Sequence, residues 1–276
     1  MRVRFTLWSV IALLSFALSA TAAAATLVSR WDFEQSLDPT IGTGSLTPAL
    51  NPVEYEAVTI NGISGHAARW AQGTPAAANE QFFTVPNSIG ANGGGAFTNQ
   101  YTVVMDVKFA SPGATGGYTS LAQTAADAHG NDADLFVRGD GGAGISGDYA
   151  DAGNAVRFPY GEWVRVAWTV DNTTPTGTDA TGYRVYFNGQ LHNVVQSPSG
   201  FAVDNRYALG DVFHVFADED GETNAGSVST LMLFDGALSA AEIAALGGAQ
   251  AAVPEPVSLA PLAFAAAFLI KRRRAK

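Results

Sequence analysis

The densest acidic run in this sequence is Asp218-Glu219-Asp220-Gly221-Glu222, preceded by Asp211 and followed by Asn224. Alternate carboxylates around a glycine offer the hard oxygen donors that Ca²⁺ takes, six to eight of them at about 2.3–2.6 Å. The run is not an EF-hand loop, because Gly221 stands fourth in it rather than sixth and no helix pair flanks it. A second acidic stretch, from Asp127 to Asp151, holds Asp132, Asp134, Asp140 and Asp148 against a single Arg138. The expectation is a calcium site built around Asp218, Asp220 and Glu222, with Asp132 and Asp134 as further ligands if the two loops meet at one rim. The same composition also describes ordinary solvated turns, since Asp and Gly are the commonest turn residues.

Other chemistry finds less support. The four histidines, His66, His129, His192 and His214, lack metal-motif spacing, and no Gly-x-Ser-x-Gly elbow occurs. The chain contains no cysteine, which excludes disulfides and thiolate zinc sites. Tyr149, Phe158 and Tyr160 fall in loop-like sequence near Gly and Pro, where an exposed ring could stack on a sugar face, so Tyr149 and Tyr160 are the candidate ligand-binding residues. Most other aromatics, including Trp31, Trp168, Tyr101 and Phe187, take alternating strand positions and read as core.

The elements that must position these groups read almost entirely as strands. Tyr101, Val103, Met105, Val107 and Phe109 alternate with Thr102, Asp106 and Lys108, a period of two. Val164 to Val170 alternates likewise, and Tyr183 to Phe187 runs into Asn188-Gly189, the dipeptide of a type I′ hairpin, before Gln190 to Val195 returns. Further strands are expected at 27–33, 53–60, 66–71, 81–85, 118–123, 134–138, 212–217 and 228–234. Ser239-Ala240-Ala241-Glu242 has the spacing of a capping box, and Gly247-Gly248 ends the one convincing helix. Many short strands separated by turns predict an all-β fold, a sandwich of two antiparallel sheets.

Both ends read as export signals. Arg2 and Arg4, the apolar stretch from Phe5 to Leu18 and the small residues before Ala24 make residues 1–24 an expected signal peptide, cut by signal peptidase. At the other end Val253-Pro254-Glu255-Pro256 precedes an apolar run, Val257 to Ile270, and the cations Lys271 to Arg274. Fourteen apolar residues are fewer than the roughly 20 of a full membrane helix, and the cations sit where a cytoplasmic flank belongs. This order resembles the PEP-CTERM sorting tail of Gram-negative bacteria. The resemblance implies a transient inner-membrane anchor recognised by an exosortase-type peptidase, followed by residence at the cell surface or in the extracellular matrix.

Between the ends, 25–248 reads as one domain and 249–252 as a linker to the 253–276 sorting signal. Without the two ends the chain keeps 8 basic and 24 acidic residues, a balance of −16 that repels phosphate backbones and argues against nucleic acid as a partner. Trp31-Asp32-Phe33-Glu34, Gly161-Glu162-Trp163, the Tyr183 to Gly189 hairpin and Asp235 to Ile243 together resemble the laminin G-like, concanavalin A-like jelly roll of secreted bacterial proteins. That resemblance implies a fold that binds glycans or proteins, often with calcium. Laminarinase-type glycosidases on this jelly roll carry Glu-x-Asp-x-x-Glu on one strand. Asp218, Asp220 and Glu222 share its alternation but lack its first Glu, and Gly221 favours a turn, so no catalytic residue is assigned. The expected function is a non-catalytic module for an exopolysaccharide or other glycan. A structural matrix protein making protein contacts is the alternative, and a glycoside hydrolase the third reading.

Overall fold

The computed structural model describes residues 24–50, 52–70, 81–113, 117–124, 132–145, 147–150, 153–174, 182–196, 198–218 and 221–251. Residues 1–23 of the expected leader, the Val253 to Pro256 motif and Asp220 lie outside the described residues. Among those described, no helix is long and apolar enough to cross a membrane.

Among the described residues fifteen strands follow in chain order: β1 Leu27–Trp31, β2 Thr47–Pro48, β3 Glu54–Ile60, β4 Ile63–Trp70, β5 Phe83–Pro86, β6 Gln100–Phe109, β7 Tyr118–Gln123 and β8 Leu135–Arg138. After these come β9 Ala143–Ile145, β10 Asp148–Tyr149, β11 Val164–Asp171, β12 Tyr183–Phe187, β13 Gln190–Val194, β14 Val212–Val215 and β15 Gly226–Phe234. They form two antiparallel sheets. The first runs β13-β12-β11-β6-β15-β4-β3, with β1 added on β15, and the second runs β10-β9-β8-β7-β14-β5-β2. The expected all-β sandwich is the fold found.

The period-two pattern explains the layering. Val103, Met105 and Val107 of β6 face Phe83, Leu121, Leu135 and Phe213 in one continuous core between the sheets. Their neighbour Val104 points the other way, into a smaller cluster with Ala167, Met232 and Ile243 under α1, Ala240–Leu246. Trp168 is fully buried and meets the rings of Tyr101 and Tyr183 at 5.6 Å each.

Turn chemistry follows the sequence. Asn188 and Gly189 have φ of 48° and 82°, as a type I′ turn requires between β12 and β13. Asn61 and Gly62, at 51° and 81°, make the same turn between β3 and β4, so these two strands form one continuous hairpin where two separated runs were expected. The capping box is present: the Ser239 hydroxyl accepts from the Glu242 N–H, and Glu242 Oε2 accepts from the Ser239 N–H at 2.8 Å.

Candidate ligand-binding site

Two loops decide where the acidic residues go. One leaves β14 and crosses from the second sheet to the first, entering β15. The other joins β7 to β8, and of it residues 124 and 132–134 are described. Phe216, buried and at φ 66°, redirects the chain just before the acidic run, and Gly221 has a φ of 94° that favours glycine. The Ser120 N–H then donates to the Glu222 carbonyl at 2.7 Å and the Ser120 hydroxyl to the Ala217 carbonyl at 2.6 Å, tying the crossing loop to β7.

These ties bring Asp132, Asp218 and Glu222 together, with one carboxylate oxygen of each within 4.8 Å of the others. Asp132 is exposed, Glu222 half-buried and Asp218 buried. Asp218 is held in place by two backbone donors, the Ala133 N–H at 3.3 Å and the Glu222 N–H at 3.0 Å, so each loop fixes part of it. Arg206 lies beside the cluster, with Nη2 3.9 Å from Asp132 Oδ2.

Asp134 takes a different place. Its Oδ2 accepts from the Thr124 N–H and hydroxyl at 2.8 and 2.6 Å, and its Oδ1 accepts from Arg206 Nε at 2.6 Å. Burial pushes this carboxyl above its usual range, opposed by the Thr124 and Arg206 hydrogen bonds. Through Arg206, Asp134 is linked to Asp132 without sharing its cluster.

Next to the carboxylates stands an aromatic group. Tyr118 pairs opposite Arg138 and Ser120 opposite Phe136 across β7 and β8, which puts Tyr118 and Phe136 on one face at a ring separation of 6.0 Å. Tyr149 lies 5.9 Å from Tyr118, and the Arg138 guanidinium sits 4.7 Å above the Tyr149 ring. Arg138 also binds Asp140 at 2.9 Å. Burial raises the Tyr149 phenol above its usual range, and the charges of Asp132 and Glu222 act in the same direction, so the phenol lies in the field of the carboxylate cluster. Tyr149 therefore belongs to a short strand beside the acidic loops, where sequence spacing reads a free loop.

Tyr160 serves another part of the fold. Its hydroxyl donates to the Arg138 carbonyl at 3.1 Å, its ring lies 5.0 Å from that of buried Phe158, and burial pushes its pKa up to about 12. Sequence reasoning missed Tyr118 and Arg138 as site residues. Their positions alternate like core residues, and only the strand register places them against Tyr149.

With three carboxylates and two half-buried tyrosine rings converging, the arrangement is suited to hold a hard cation and to stack a flat apolar face. A profile of the concanavalin A-like lectin/glucanases superfamily matches residues 78–244. Among solved structures, the chain is similar to domain 4 of AbnA, a GH43 extracellular arabinanase from Geobacillus stearothermophilus, in complex with arabinotriose. The identity is 18%, the TM-score 0.53, and the match covers 81% of this chain and 99% of that one. The binding domain of botulinum neurotoxin serotype G matches at 13% identity and a TM-score of 0.49, over 79% of this chain and half of that one. A sialidase from Trypanosoma rangeli matches at 14% identity and a TM-score of 0.44, over 80% of this chain and 32% of that one. No curated protein matches the sequence. The profile spans more than half of the chain, and the protein belongs to the concanavalin A-like lectin/glucanase superfamily.

Proposed function

We propose that this protein is an exported, non-catalytic module that binds a surface or matrix glycan beside Tyr118 and Tyr149, with Ca²⁺ held by Asp132, Asp218 and Glu222. The observation that carries this reading is the convergence of three carboxylates from two loops next to a pair of half-buried tyrosine rings. The donor set fits calcium, which takes hard oxygens, whereas nothing in it suits a soft metal. Backbone carbonyls and water would complete the six to eight positions. When bound, the ion would screen three like charges and present open positions to sugar hydroxyls. Tyrosine rings supply the apolar surface against which the C–H face of a pyranose or furanose packs.

A non-catalytic role agrees with the chemistry of the residues. A retaining glycosidase needs two carboxyl groups about 5–5.5 Å apart across a bound sugar, one of them reaching the nucleophilic position. Here the Asp218 carboxylate is turned into the loop by two backbone N–H groups. The likeness to an arabinanase domain in complex with arabinotriose supports a saccharide as the ligand class. Glycan-array binding and titration of the host's exopolysaccharide, each with millimolar Ca²⁺ and with chelator, test the reading. Saturable, chelator-sensitive binding is expected, and turnover of the polysaccharide would overturn the non-catalytic part.

Sorting through signal peptidase and an exosortase belongs to the same proposal, supported by the order Pro254-Glu255-Pro256, apolar run, basic end. The intact mass of the exported protein should lack residues 1–24 and the Arg272 to Arg274 tail. Exported protein that keeps the tail would remove the sorting reading.

A further inference from the structure

One side of the sandwich is closed by a seam between β13, the edge of the first sheet, and the β9–β10 ribbon of the second. His192 of β13 sits in this seam, 3% exposed, with its ring stacked on Phe187 at 4.5 Å. Its Nε2 accepts from the Ala143 N–H of β9 at 2.7 Å, and its Nδ1 donates to the Val156 carbonyl at 2.6 Å. A backbone N–H only donates and a carbonyl only accepts, so these partners select the neutral ring with its proton on Nδ1.

We propose that His192 is an acid-sensitive latch, which as a neutral ring ties β13 to β9 and to the 153–163 loop and on taking a proton releases the β9–β10 ribbon that carries Tyr149. Protonation places an N–H on Nε2 pointing at the Ala143 N–H, turning a hydrogen bond into a contact between two donors. The new cation is also buried against Phe187. An open recess of about 610 Å³ beside β13 is lined by Asn154, His192 and Gln196. Two charged groups face the ring from the packed elements: Arg157 of the loop, which disfavours the cation, and Asp140 of the β8–β9 turn, which favours it. Burial is the larger influence and lowers the His192 pKa below its usual value, so the latch holds above about pH 6.5 and is lost as pH falls through the lowered value.

The other ties across the seam are one hydrogen bond from the Gln196 N–H to the Asp148 carboxylate and amide bonds that do not titrate there. Asn193 Nδ2 donates to the Ala143 carbonyl at 3.0 Å and to the Asp148 carbonyl at 3.1 Å. Acid should therefore loosen the ribbon locally while the sheets stay paired. The consequence for ligand rests on the glycan reading above, but the latch is read from backbone exchange and needs no sugar.

Hydrogen exchange of the full-length chain, followed by mass spectrometry between pH 7.5 and 5 and corrected for the intrinsic rate, tests it. Protection of the 143–149 and 153–157 segments should fall about tenfold as His192 protonates, the size expected for losing a net hydrogen bond. Protection of β6 and β11 should hold. His192→Gln, whose amide oxygen can accept from Ala143 but does not titrate, should flatten the pH profile. Protection of 143–149 that ignores pH, a loss shared equally by β6 and β11, or a His192→Gln profile like the wild type would each overturn the latch. Failure of glycan binding would leave this outcome unchanged, and failure of the latch would leave the sugar site standing.

Discussion

Arg165 and Asp106 stand opposite each other in the pairing of β11 with β6, and Arg165 Nε and Nη2 each donate at 2.7 Å to a different oxygen of Asp106. Asp106 is wholly buried. The Gln250 N–H also donates to Asp106 Oδ2 at 3.1 Å, and Arg165 Nη1 donates to the Leu246 carbonyl. The pair thereby fastens the end of α1 and the segment after it across the first sheet. Asp106→Asn should lower stability by about 3–5 kcal/mol, because it strands a buried guanidinium, whereas Asp106→Leu with Arg165→Met should recover much of that loss. Urea denaturation of both variants checks the ordering.

Trp168 fills the centre of the main core and is fully buried between Tyr101 and Tyr183. Trp168→Ala should cost about 3–5 kcal/mol through lost transfer energy and the cavity left behind. A thermal melt within experimental error of the wild type would mean that the core collapses around the hole.

The carboxylate cluster carries a metal prediction. A ligand that binds only the folded state stabilises it by RT ln(1 + [L]/Kd), about 2.7 kcal/mol at a hundredfold excess. The melting temperature should rise with millimolar Ca²⁺ and fall with chelator, and Asp218→Asn should abolish the response. Calorimetry without Ca²⁺ binding, together with melting indifferent to chelator, would leave Asp132, Asp218 and Glu222 as an acidic turn.

For the tyrosine pair, ring and hydroxyl can be separated. Tyr149→Ala should weaken glycan binding on the order of tenfold, about 1.4 kcal/mol, while Tyr149→Phe keeps the stacking surface and most of the affinity. Equal loss in both variants would assign the contact to the phenol instead of the ring. Tyr160→Ala should act on stability, since its hydroxyl is bound to the Arg138 carbonyl.

Local chemistry in the sequence determined the elements. Period-two alternation located β6, β11 and β12, because side chains two apart face the same way whatever the strand packs against. Asn188-Gly189 located a hairpin and Ser239 with Glu242 a helix start, since each motif satisfies or permits a backbone geometry within a few residues. The short strands β2, β9 and β10 were not legible, because two or three residues carry no period. Tertiary structure alone decided which acidic residues meet. Asp132 and Asp134 are two apart in one loop, yet one joins Asp218 and Glu222 while the other turns to Thr124 and Arg206. That choice depends on where β14 and its crossing loop lie against β7, a relation between strands ninety residues apart that no local pattern encodes. The pairing of Arg165 with Asp106 and the seat of His192 against Ala143 are of the same kind, set by strand register and by the approach of two sheet edges.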